Sequence, residues 1–393
     1  MDSILTNWTK KARKFKEAHP NVASALYLIA LSIFIVASMI KNSQMFPFFS
    51  QGFIFILELI PALMITIKIL FLDEHNWQEL VIFFLMEFYL YMSSYIAASV
   101  SVFYFSFFII GAKDVKAEQI LKVFMLTNIA FMIVAAILAL SGVIWNYSTT
   151  RSLYSPVYRY ALGMAYPSDY AARGLSLLLA YAVLKKFRLR LPEYISFIAV
   201  IFWFYLITGT RVDLLLSLLL IVFLVAYPKI KQLFKKISIK AVNIAMLVYM
   251  FLIYLIGFLF TCFPSNKILS LINSALSGRL SHEQTLFQHF PISFTGRYIY
   301  QPGGGAGFFI DASFFRILWM YGIPMLLISI VLFFMLNNRF LKNPNYLPIE
   351  LAFIIIFISA GIDQHYLDAS FNFVPLLLFA DLGMFNQKKQ NCK

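Results

Sequence analysis

Charged residues are scarce in this chain. Of its 393 residues only 13% are charged, and the 18 acidic residues are outnumbered by 32 basic ones. A soluble domain carries about 25% charged and about 45–50% apolar residues, whereas this chain is 61% hydrophobic, with a mean hydropathy of +0.80. So little charge cannot cover the surface of a soluble protein of this size. Soluble enzymes and disordered proteins are therefore excluded.

Cysteine is rare as well. The two cysteines, Cys262 and Cys392, lie far apart in the sequence, which argues against a disulfide framework and a cysteine-based metal site. We expect no cleavable signal peptide, because the N-terminal segment is basic and the first apolar run, which begins near Val22, is long enough to span a membrane.

A late polar cluster is formed by Asp363, His365 and Asp368, with no basic residue beside it. Its spacing matches no known pattern of metal ligands. The sequence therefore predicts neither a metal nor a cofactor.

Long apolar runs predict an all-α polytopic integral membrane protein that forms one transmembrane domain over 1–393. A helix needs about 20 mainly apolar residues to cross the hydrocarbon core. The block 79–112 is interpreted as two short spans, because this keeps the lysines at 113–122 on the cytoplasmic side, where short loops collect Lys and Arg. The twelve predicted transmembrane helices are 22–40, 51–72, 79–95, 96–112, 120–145, 168–184, 192–208, 212–227, 241–261, 312–336, 347–362 and 371–386.

This topology predicts a protein of the cytoplasmic membrane with both termini in the cytoplasm. A basic segment at 1–21 and a tail at 387–393 would be cytoplasmic, and 262–311 would form a large extracellular loop between spans 9 and 10. Of the 23 basic residues on the inner side 19 are lysine, whereas 7 of the 9 on the outer side are arginine. The inner lysines explain the net charge of +14, so nucleic acid is not expected as a partner.

The outer arginines indicate a ligand that carries phosphate or carboxylate. Arginine presents a planar, always charged fork that binds phosphate through two hydrogen bonds, whereas lysine offers a point charge. Local ion pairs are the alternative explanation.

Two outer segments are long enough to build a site. In the first, 146–167, five tyrosines alternate with Arg151 and Arg159. Tyrosines suit the stacking of sugars, but they also form the ordinary belt at a membrane interface. At the end of this segment, Asp169 and Arg173 are one helical turn apart and predict a structural ion pair.

The second outer segment is the loop 262–311. Four aliphatic residues at four-residue steps predict one amphipathic helix on the outer membrane surface. The helix would also carry Arg279 one turn before Glu283, with His282 and His289 on a neighbouring face. These residues are either an ion pair with two solvated histidines, or a phosphate-binding arginine beside candidate acid–base groups. The aliphatic residues are Ile268, Ile272, Leu276 and Leu280.

Five short motifs follow one another in a recognisable order. They are TGTR (208–211), SGRL (278–281), the glycine hinge GGGAG (303–307), IDASFFRILWMYGI (310–323) and NFVPLLL (372–378). In this order they resemble the Wzy-type polysaccharide polymerases, which are relatives of the O-antigen polymerase and ligase group. The segment 159–171 is also similar to a family motif. The chain departs from the family pattern at Ala312, Tyr166 and Ser168, where the family has Asn, His and Asn.

The resemblance implies an enzyme that polymerises undecaprenyl-diphosphate-linked oligosaccharide repeats on the outer face of the membrane. The product would be a capsular polysaccharide, an exopolysaccharide or O-antigen, formed by glycosyl transfer without a metal. Membrane lipid would surround the enzyme, and a flippase and a chain-length regulator are candidate partner proteins.

The family motifs also imply roles for particular residues. Asp311 stands where ligases carry a histidine and would accept the proton from the acceptor sugar, with His282 and His289 as alternative bases. Asp311 is equally well placed to be the N-cap of the tenth span. The residues expected to bind the diphosphate are Arg211 and Arg279 first, and Arg159 and Arg297 second.

Two other functions remain open. A ligase that attaches finished polymer to another acceptor would use the same chemistry. A flippase or other transporter of lipid-linked repeats would also be polytopic with cationic groups. The chain has no clear internal repeat of the kind that marks many transporters, and its outer charges lie beside the spans rather than along them.

Overall fold

The computed structural model describes residues 18–19, 21–150, 157–234, 236–301 and 307–386. Several predicted features lie outside the described residues: nearly all of the basic segment 1–21, the tail 387–393, Arg151 and most of the glycine hinge.

Helices make up most of the described residues. Eight of them are long and apolar enough to cross a membrane, which agrees with the predicted all-α polytopic membrane protein. Two short strands, β1 (Ser148–Thr150) and β2 (Tyr158–Tyr160), pair antiparallel with Ser148 opposite Tyr160. The helices are α1 Val22–Lys41, α2 Gln51–Ile67, α3 Trp77–Ile96, α4 Ser101–Gly111, α5 Ala117–Leu140, α6 Pro167–Leu184, α7 Leu191–Thr208, α8 Arg211–Phe234, α9 Ile239–Cys262, α10 Lys267–Ala275, α11 Arg279–His289, α12 Ser313–Phe315, α13 Ile323–Phe340, α14 Leu347–Ala360 and α15 Gly383–Asn386.

The eight long apolar helices are α1, α2 with its following π-helical turn Lys68–Leu72, α3, α5, α7, α8, α9 and α13. The predicted count of twelve spans is not confirmed. Two of the other predicted spans correspond to the short apolar helices α4 and α14, with 11 and 14 residues. A third, α6, has 18 residues but includes Asp169 and Arg173.

The last predicted span, 371–386, is wrong as a continuous helix. A 3₁₀ turn at Pro375–Leu377 and the short α15 are its only helical pieces among the described residues. Just before this segment, Oδ1 of Asp368 accepts a hydrogen bond from the hydroxyl of Ser38, near the end of α1. Further along, the carbonyl oxygen of Asp381 accepts a hydrogen bond from the N–H of Ala117, the first residue of α5. Between them, Oδ1 of Asn372 accepts a hydrogen bond from the N–H of Val374 at 3.2 Å. Such pairing lets a non-helical backbone lie inside a membrane protein.

The predicted span 312–336 is also interrupted. A π-helical turn, Arg316–Met320, follows α12, and the chain then turns at Gly322 before α13 begins. Gly322 has a φ of +90°, and a Cβ there would come within 2.2 Å of the carbonyl oxygen of Phe294. Only glycine fits this position, because a side chain would meet fixed backbone.

The single amphipathic helix predicted to carry Ile268 to Leu280 together with Glu283 and His289 is divided into α10 and α11. Ser277 and Gly278 have φ angles of +60° and +87°, and this left-handed pair ends α10 and starts α11. The predicted apolar face is split as well, because Ile268 is 69% exposed on α10 whereas Leu280 is buried on α11.

The chain forms two compact units. The first comprises Met1–Leu80, Tyr104–Ile230 and Asp368–Lys393, and the second comprises Val81–Phe103 and Lys231–Leu367. In the first unit α1 packs against α2 and α5. In the second unit α9 packs against α11 and α13, and an aromatic cluster of Phe314, Phe333 and Phe357 forms part of the core.

Candidate functional site

A cluster of charged side chains in the second unit is the candidate site. Arg279, the first residue of α11, lies with its Nε 3.4 Å from Oδ2 of Asp311. Its Nη2 donates a hydrogen bond to Oδ1 of Asp363 at 3.5 Å. The side chains of Arg279 and Asp311 are 17% and 27% exposed, so ligands from solvent can reach both, whereas Asp363 is 5% exposed. Two of the predicted site residues, Arg279 and Asp311, are thus in contact.

The position of Arg279 follows from the break before α11. Gly278 takes the left-handed conformation, which ends α10 and lets a new helix begin in a different direction. Leu280 and Leu286 are buried on α11 and fix which side of the helix faces the protein. Arg279 is thereby held at the first turn of a helix whose packing is set by its neighbours.

Asp311 is not the N-cap of the following helix. The N-cap of α12 is Ala312, and no side chain caps it. Asp311 lies instead in the extended segment before α12 and pairs with Arg279. The alternative interpretation of Asp311 as a capping residue is therefore wrong.

Asp363 is anchored through its backbone. Its carbonyl oxygen accepts hydrogen bonds from the N–H of Ser313 at 3.0 Å and from the hydroxyl of Ser313 at 2.5 Å. These bonds join the end of α14 to the start of α12, so Asp363 and Asp311 approach Arg279 from two fixed elements. The sequence has no basic residue beside Asp363, but in the structure Arg279, 84 positions earlier in the chain, is in contact with it.

Glu283, one turn after Arg279, is the one carboxyl group on α11, and it is buried. It is 8% exposed, and its Oε2 has no hydrogen-bond partner among the described residues. Burial, and next the charge of Asp311, raise the pKa of Glu283 to about 8, although Arg279 acts in the opposite direction. Glu283 therefore holds a proton near neutral pH.

The pKa of Asp311 is raised as well. Burial is the largest cause, and the negative charge of Asp363 also raises the pKa. The positive charge of Arg279 lowers it, and His282 and Arg316 lower it by less. A carboxylate with a raised pKa is a better proton acceptor near neutral pH. His282 is half-buried and close enough to interact with Asp311.

Arg316 supports the backbone that carries Asp311. Its Nε donates to the carbonyl of Ile310 at 2.7 Å, and its Nη2 donates to Oε1 of Gln301 at 3.1 Å. The N–H of Ile310 also donates to Oε1 of Gln301, at 3.0 Å. Gln301 and Arg316 thus fix the residue just before Asp311.

The structure does not bring two other predicted site residues of the second unit, His289 and Arg297, into this cluster. His289, at the C-terminal end of α11, is exposed. The N–H of Arg297 donates to the carbonyl of Met320 at 2.9 Å, and its Nε is buried without a hydrogen-bond partner among the described residues.

The remaining predicted arginines lie in the first unit. Arg159, on β2, donates from Nε to the carbonyl of Thr208 at 2.7 Å. Its side chain packs on Gly209, where a Cβ would come within 3.1 Å of Cγ, and Gly209 has a φ of +59°. Arg211 follows this turn as the first residue of α8 and is exposed. The structure therefore joins Arg159 to the TGTR turn, which sequence spacing could not reveal.

The spacing of Asp169 and Arg173, both on α6 in the first unit, predicts a structural ion pair. Arg173 is completely buried, and its Nη1 donates to Oδ1 of Asn128 at 3.3 Å and to Oγ of Ser370 at 3.0 Å. Its guanidinium carbon lies 3.9 Å from the centre of the Phe371 ring. Arg173 thus connects α5, α6 and the non-helical segment that follows Asp368.

No protein-family model matches the chain, and no curated protein or solved structure is significantly similar to it. Within the described ranges, no three or more His, Cys, Asp or Glu side chains are grouped as metal ligands.

Proposed function

We propose that this protein polymerises oligosaccharide repeats linked to undecaprenyl diphosphate, on the outer face of the cytoplasmic membrane. The contact between Arg279 and Asp311 carries the proposal. It unites the arginine of the SGRL motif with the aspartate at the second position of the IDASFFRILWMYGI motif. A polymerase of this kind needs a cation for the departing diphosphate and a base for the attacking hydroxyl, and these two residues are of the required types.

The transmembrane layout supports the proposal. Together with α4, α6, α14 and the segment 371–386, which is not a continuous helix, the eight long helices would make twelve crossings, with both termini in the cytoplasm. The segment 262–311 would then be extracellular, on the side where the lipid-linked repeats are joined. Arg279, Glu283 and Asp311 would all lie on that face.

The proposed reaction joins the growing chain to a new repeat. The oxygen of the acceptor hydroxyl forms a bond to the anomeric carbon of the growing chain. The bond from that carbon to the diphosphate breaks, and its electron pair leaves with the lipid diphosphate. The proton of the hydroxyl passes to Asp311, whose raised pKa suits it to this task.

Arg279 would stabilise the negative charge that develops on the departing diphosphate. A guanidinium does this without a metal, because its N–H groups form charge-assisted hydrogen bonds with phosphate oxygens. Its distances to Asp311 and Asp363, 3.4 and 3.5 Å, are longer than the 2.7–2.9 Å of a strong charge-assisted bond. Such long contacts favour exchange of a carboxylate for a phosphate oxygen.

His282 is the second candidate for the base, since it lies beside Asp311, whereas His289 has less support because it is exposed at the other end of α11. Arg211 and Arg159 at the TGTR turn, and Arg297, are proposed to bind diphosphate on the strength of sequence alone.

Deletion of the gene in the strain that carries it tests the function. A polymerase predicts that long polymer disappears while single repeats are still displayed outside the cell. Loss of all external repeats would identify a flippase instead, and normal polymer that is no longer attached to its acceptor would identify a ligase. Both of these results would overturn the proposal.

Complementation of the deletion strain tests the residues. We expect Arg279→Lys, Arg211→Lys and Asp311→Ala, each at normal protein level, to shorten the polymer or abolish it. Lys267→Arg, at the exposed start of α10, is the control and should restore normal polymer. Unchanged polymer in the three variants would refute the assignments.

A further inference from the structure

Three half-buried rings lie together next to the charged cluster. The rings of Phe308 and Phe290 are nearly parallel, with centres 5.8 Å apart and planes inclined by 13°. The ring of His282 approaches Phe308 edge-on, with centres 6.3 Å apart. All three side chains are partly accessible, and they form what is called here the aromatic platform.

The aromatic platform is continuous with the charged cluster. His282 is on α11, the helix that begins with Arg279, and Phe308 is in the short segment that leads to Asp311. The rings of His282 and Phe308 thus belong to residues three positions from Arg279 and from Asp311 respectively, and His282 is near enough to Asp311 to interact with it.

The aromatic platform is held by contacts from both sides. The indole Nε1 of Trp319 donates to the carbonyl of Phe290 at 2.7 Å, and Trp319 is itself buried. The segment after Phe308 is fixed by Gln301 and Arg316, which both bind the backbone of Ile310. A preorganised surface of this kind binds a ligand without a large cost in conformational entropy.

Partly exposed rings beside charged groups match the chemistry of a sugar. A pyranose ring has an apolar face of C–H groups and a rim of hydroxyls. The face packs on aromatic rings, while the hydroxyls form hydrogen bonds with carboxylates and arginines. Pockets that combine apolar walls with a few polar groups of this type fix both the position and the orientation of a ligand.

We infer that the aromatic platform binds a pyranose ring of the acceptor oligosaccharide, with Phe308 as the main stacking residue and the hydroxyls directed towards Arg279 and Asp311. This inference rests on the proposed function and names the acceptor subsite of the same centre. Phe308 is a positioning residue: it brings the acceptor hydroxyl to Asp311 and takes no part in the bond changes.

Steady-state kinetics of the purified full-length protein tests the subsite. The donor is the lipid-linked repeat, and the acceptor is the free repeat released by mild acid and capped at its reducing end. We compare Phe308→Leu, which keeps an apolar side chain but removes the ring, with Phe308→Trp, which keeps an aromatic face. Phe294→Ala is the control, because Phe294 belongs to the same connection but is 66% exposed.

For Phe308→Leu we expect the KM of the capped acceptor to rise about fivefold with little change in kcat, since loss of an aromatic stack costs about 1 kcal/mol. Phe308→Trp and Phe294→Ala should stay within about twofold of the wild type. A KM for Phe308→Leu equal to that of the wild type would overturn the subsite, since aliphatic packing would then suffice. An equal rise in Phe308→Leu and Phe294→Ala would overturn it as well.

A measurement of binding that requires no catalysis distinguishes a failure of this inference from a failure of the proposed function. Saturation-transfer NMR with the capped repeat and the wild-type protein should show transfer to C–H protons of the sugar, and Phe308→Leu should lose most of it. If the deletion strain still makes polymer, the function fails while this measurement still reports on the platform. If the strain loses polymer but the NMR transfer is the same in both proteins, the function stands and the subsite fails.

Discussion

Nη2 of Arg279 donates a hydrogen bond to Oδ1 of Asp363 across 3.5 Å, although the two residues are 84 positions apart in the chain. Arg279 thus contacts two carboxylates, Asp311 and Asp363, and Asp363 belongs to the turn after α14. Asp363 is nearly inaccessible, whereas Asp311 is partly exposed. Of the two carboxylates, Asp363 therefore suits a structural role and Asp311 a chemical one.

Replacement of Asp363 by asparagine should disturb the orientation of Arg279. The amide keeps the size of the side chain and one oxygen acceptor but removes the charge, so Arg279 would be held by Asp311 alone. A hydrogen bond to a charged group contributes about 1.5–3 kcal/mol. We expect Asp363→Asn to lower the rate of polymer synthesis about tenfold and to lower the melting temperature of the purified protein.

The control for this change is Glu118→Gln. Glu118 pairs with Lys122 on an exposed surface of α5, where an ion pair contributes little. The control should leave rate and melting temperature unchanged. Equal rates in Asp363→Asn and the wild type would show that Arg279 does not depend on Asp363.

The buried carboxyl of Glu283 should make stability depend on pH. Its pKa is raised from an ordinary 4.5 to about 8, mainly by burial. Between these two values the folded protein holds a proton that the unfolded chain has released. The free energy of unfolding therefore falls as the pH rises from about 4.5 to about 8. Above pH 8 both states have released the proton, and Glu283 causes no further loss of stability.

Glu283→Gln should remove this loss of stability. The amide resembles the protonated carboxyl and does not ionise, so the variant should melt near the wild type at pH 5 and at a clearly higher temperature at pH 8. Melting curves of both proteins in the same detergent at several pH values measure the difference. Curves that stay parallel from pH 5 to pH 8 would mean that Glu283 ionises normally.

Gly257 on α9 provides the space that Glu283 occupies. A Cβ at Gly257 would lie 2.8 Å from Oε2 of Glu283 and 2.9 Å from the ring of Phe315. Gly257→Ala should therefore push α11 away from α9 and reduce both the melting temperature and polymer synthesis. Gly52→Ala is the matched control, because it is also a helical glycine but has nothing within 4 Å of the added atom. It should be neutral or slightly stabilising. Equal behaviour of the two variants would contradict the close packing of α9 and α11.

Hydropathy and charge predicted the class of this protein well, because a long apolar helix is recognisable from composition alone. They failed where polar side chains replace helical hydrogen bonds. In 371–386 an apolar run contains Pro375, which has no N–H, and Asn372, which binds the backbone. A window average of hydropathy does not detect either effect.

The site was predictable in part for a similar reason. Arg279 and Asp311 each belong to a short motif, so they could be proposed from sequence. Asp363 reaches Arg279 across 84 positions, and no periodicity in the chain connects the two segments. Arg316 acts through a non-helical turn, in which it binds Gln301 and the carbonyl of Ile310, and helical spacing does not reveal such contacts. Glu283 was visible one turn after Arg279, but its burial against Gly257 depends on how α9 and α11 pack.

The buried Arg173 should be the main determinant of stability in the first unit. Its guanidinium binds Asn128 and Ser370 at once and lies on the ring of Phe371, which a lysine ammonium cannot reproduce. Arg173→Lys should therefore lower the melting temperature strongly, whereas Arg188→Lys, at an exposed position, should not.

A double-mutant cycle shows whether Arg173 acts through the segment that it binds. Asp368 bonds to Ser38, Asn42 and Ser370, and its negative charge acts on Arg173. If the guanidinium contacts of Arg173 and the hydrogen bonds of Asp368 stabilise the same arrangement, Asp368→Asn should cost much less in the Arg173→Lys background than in the wild type. Melting temperatures of the four proteins measure this coupling. Strictly additive losses would mean that Arg173 stabilises α5 and α6 without holding the non-helical segment.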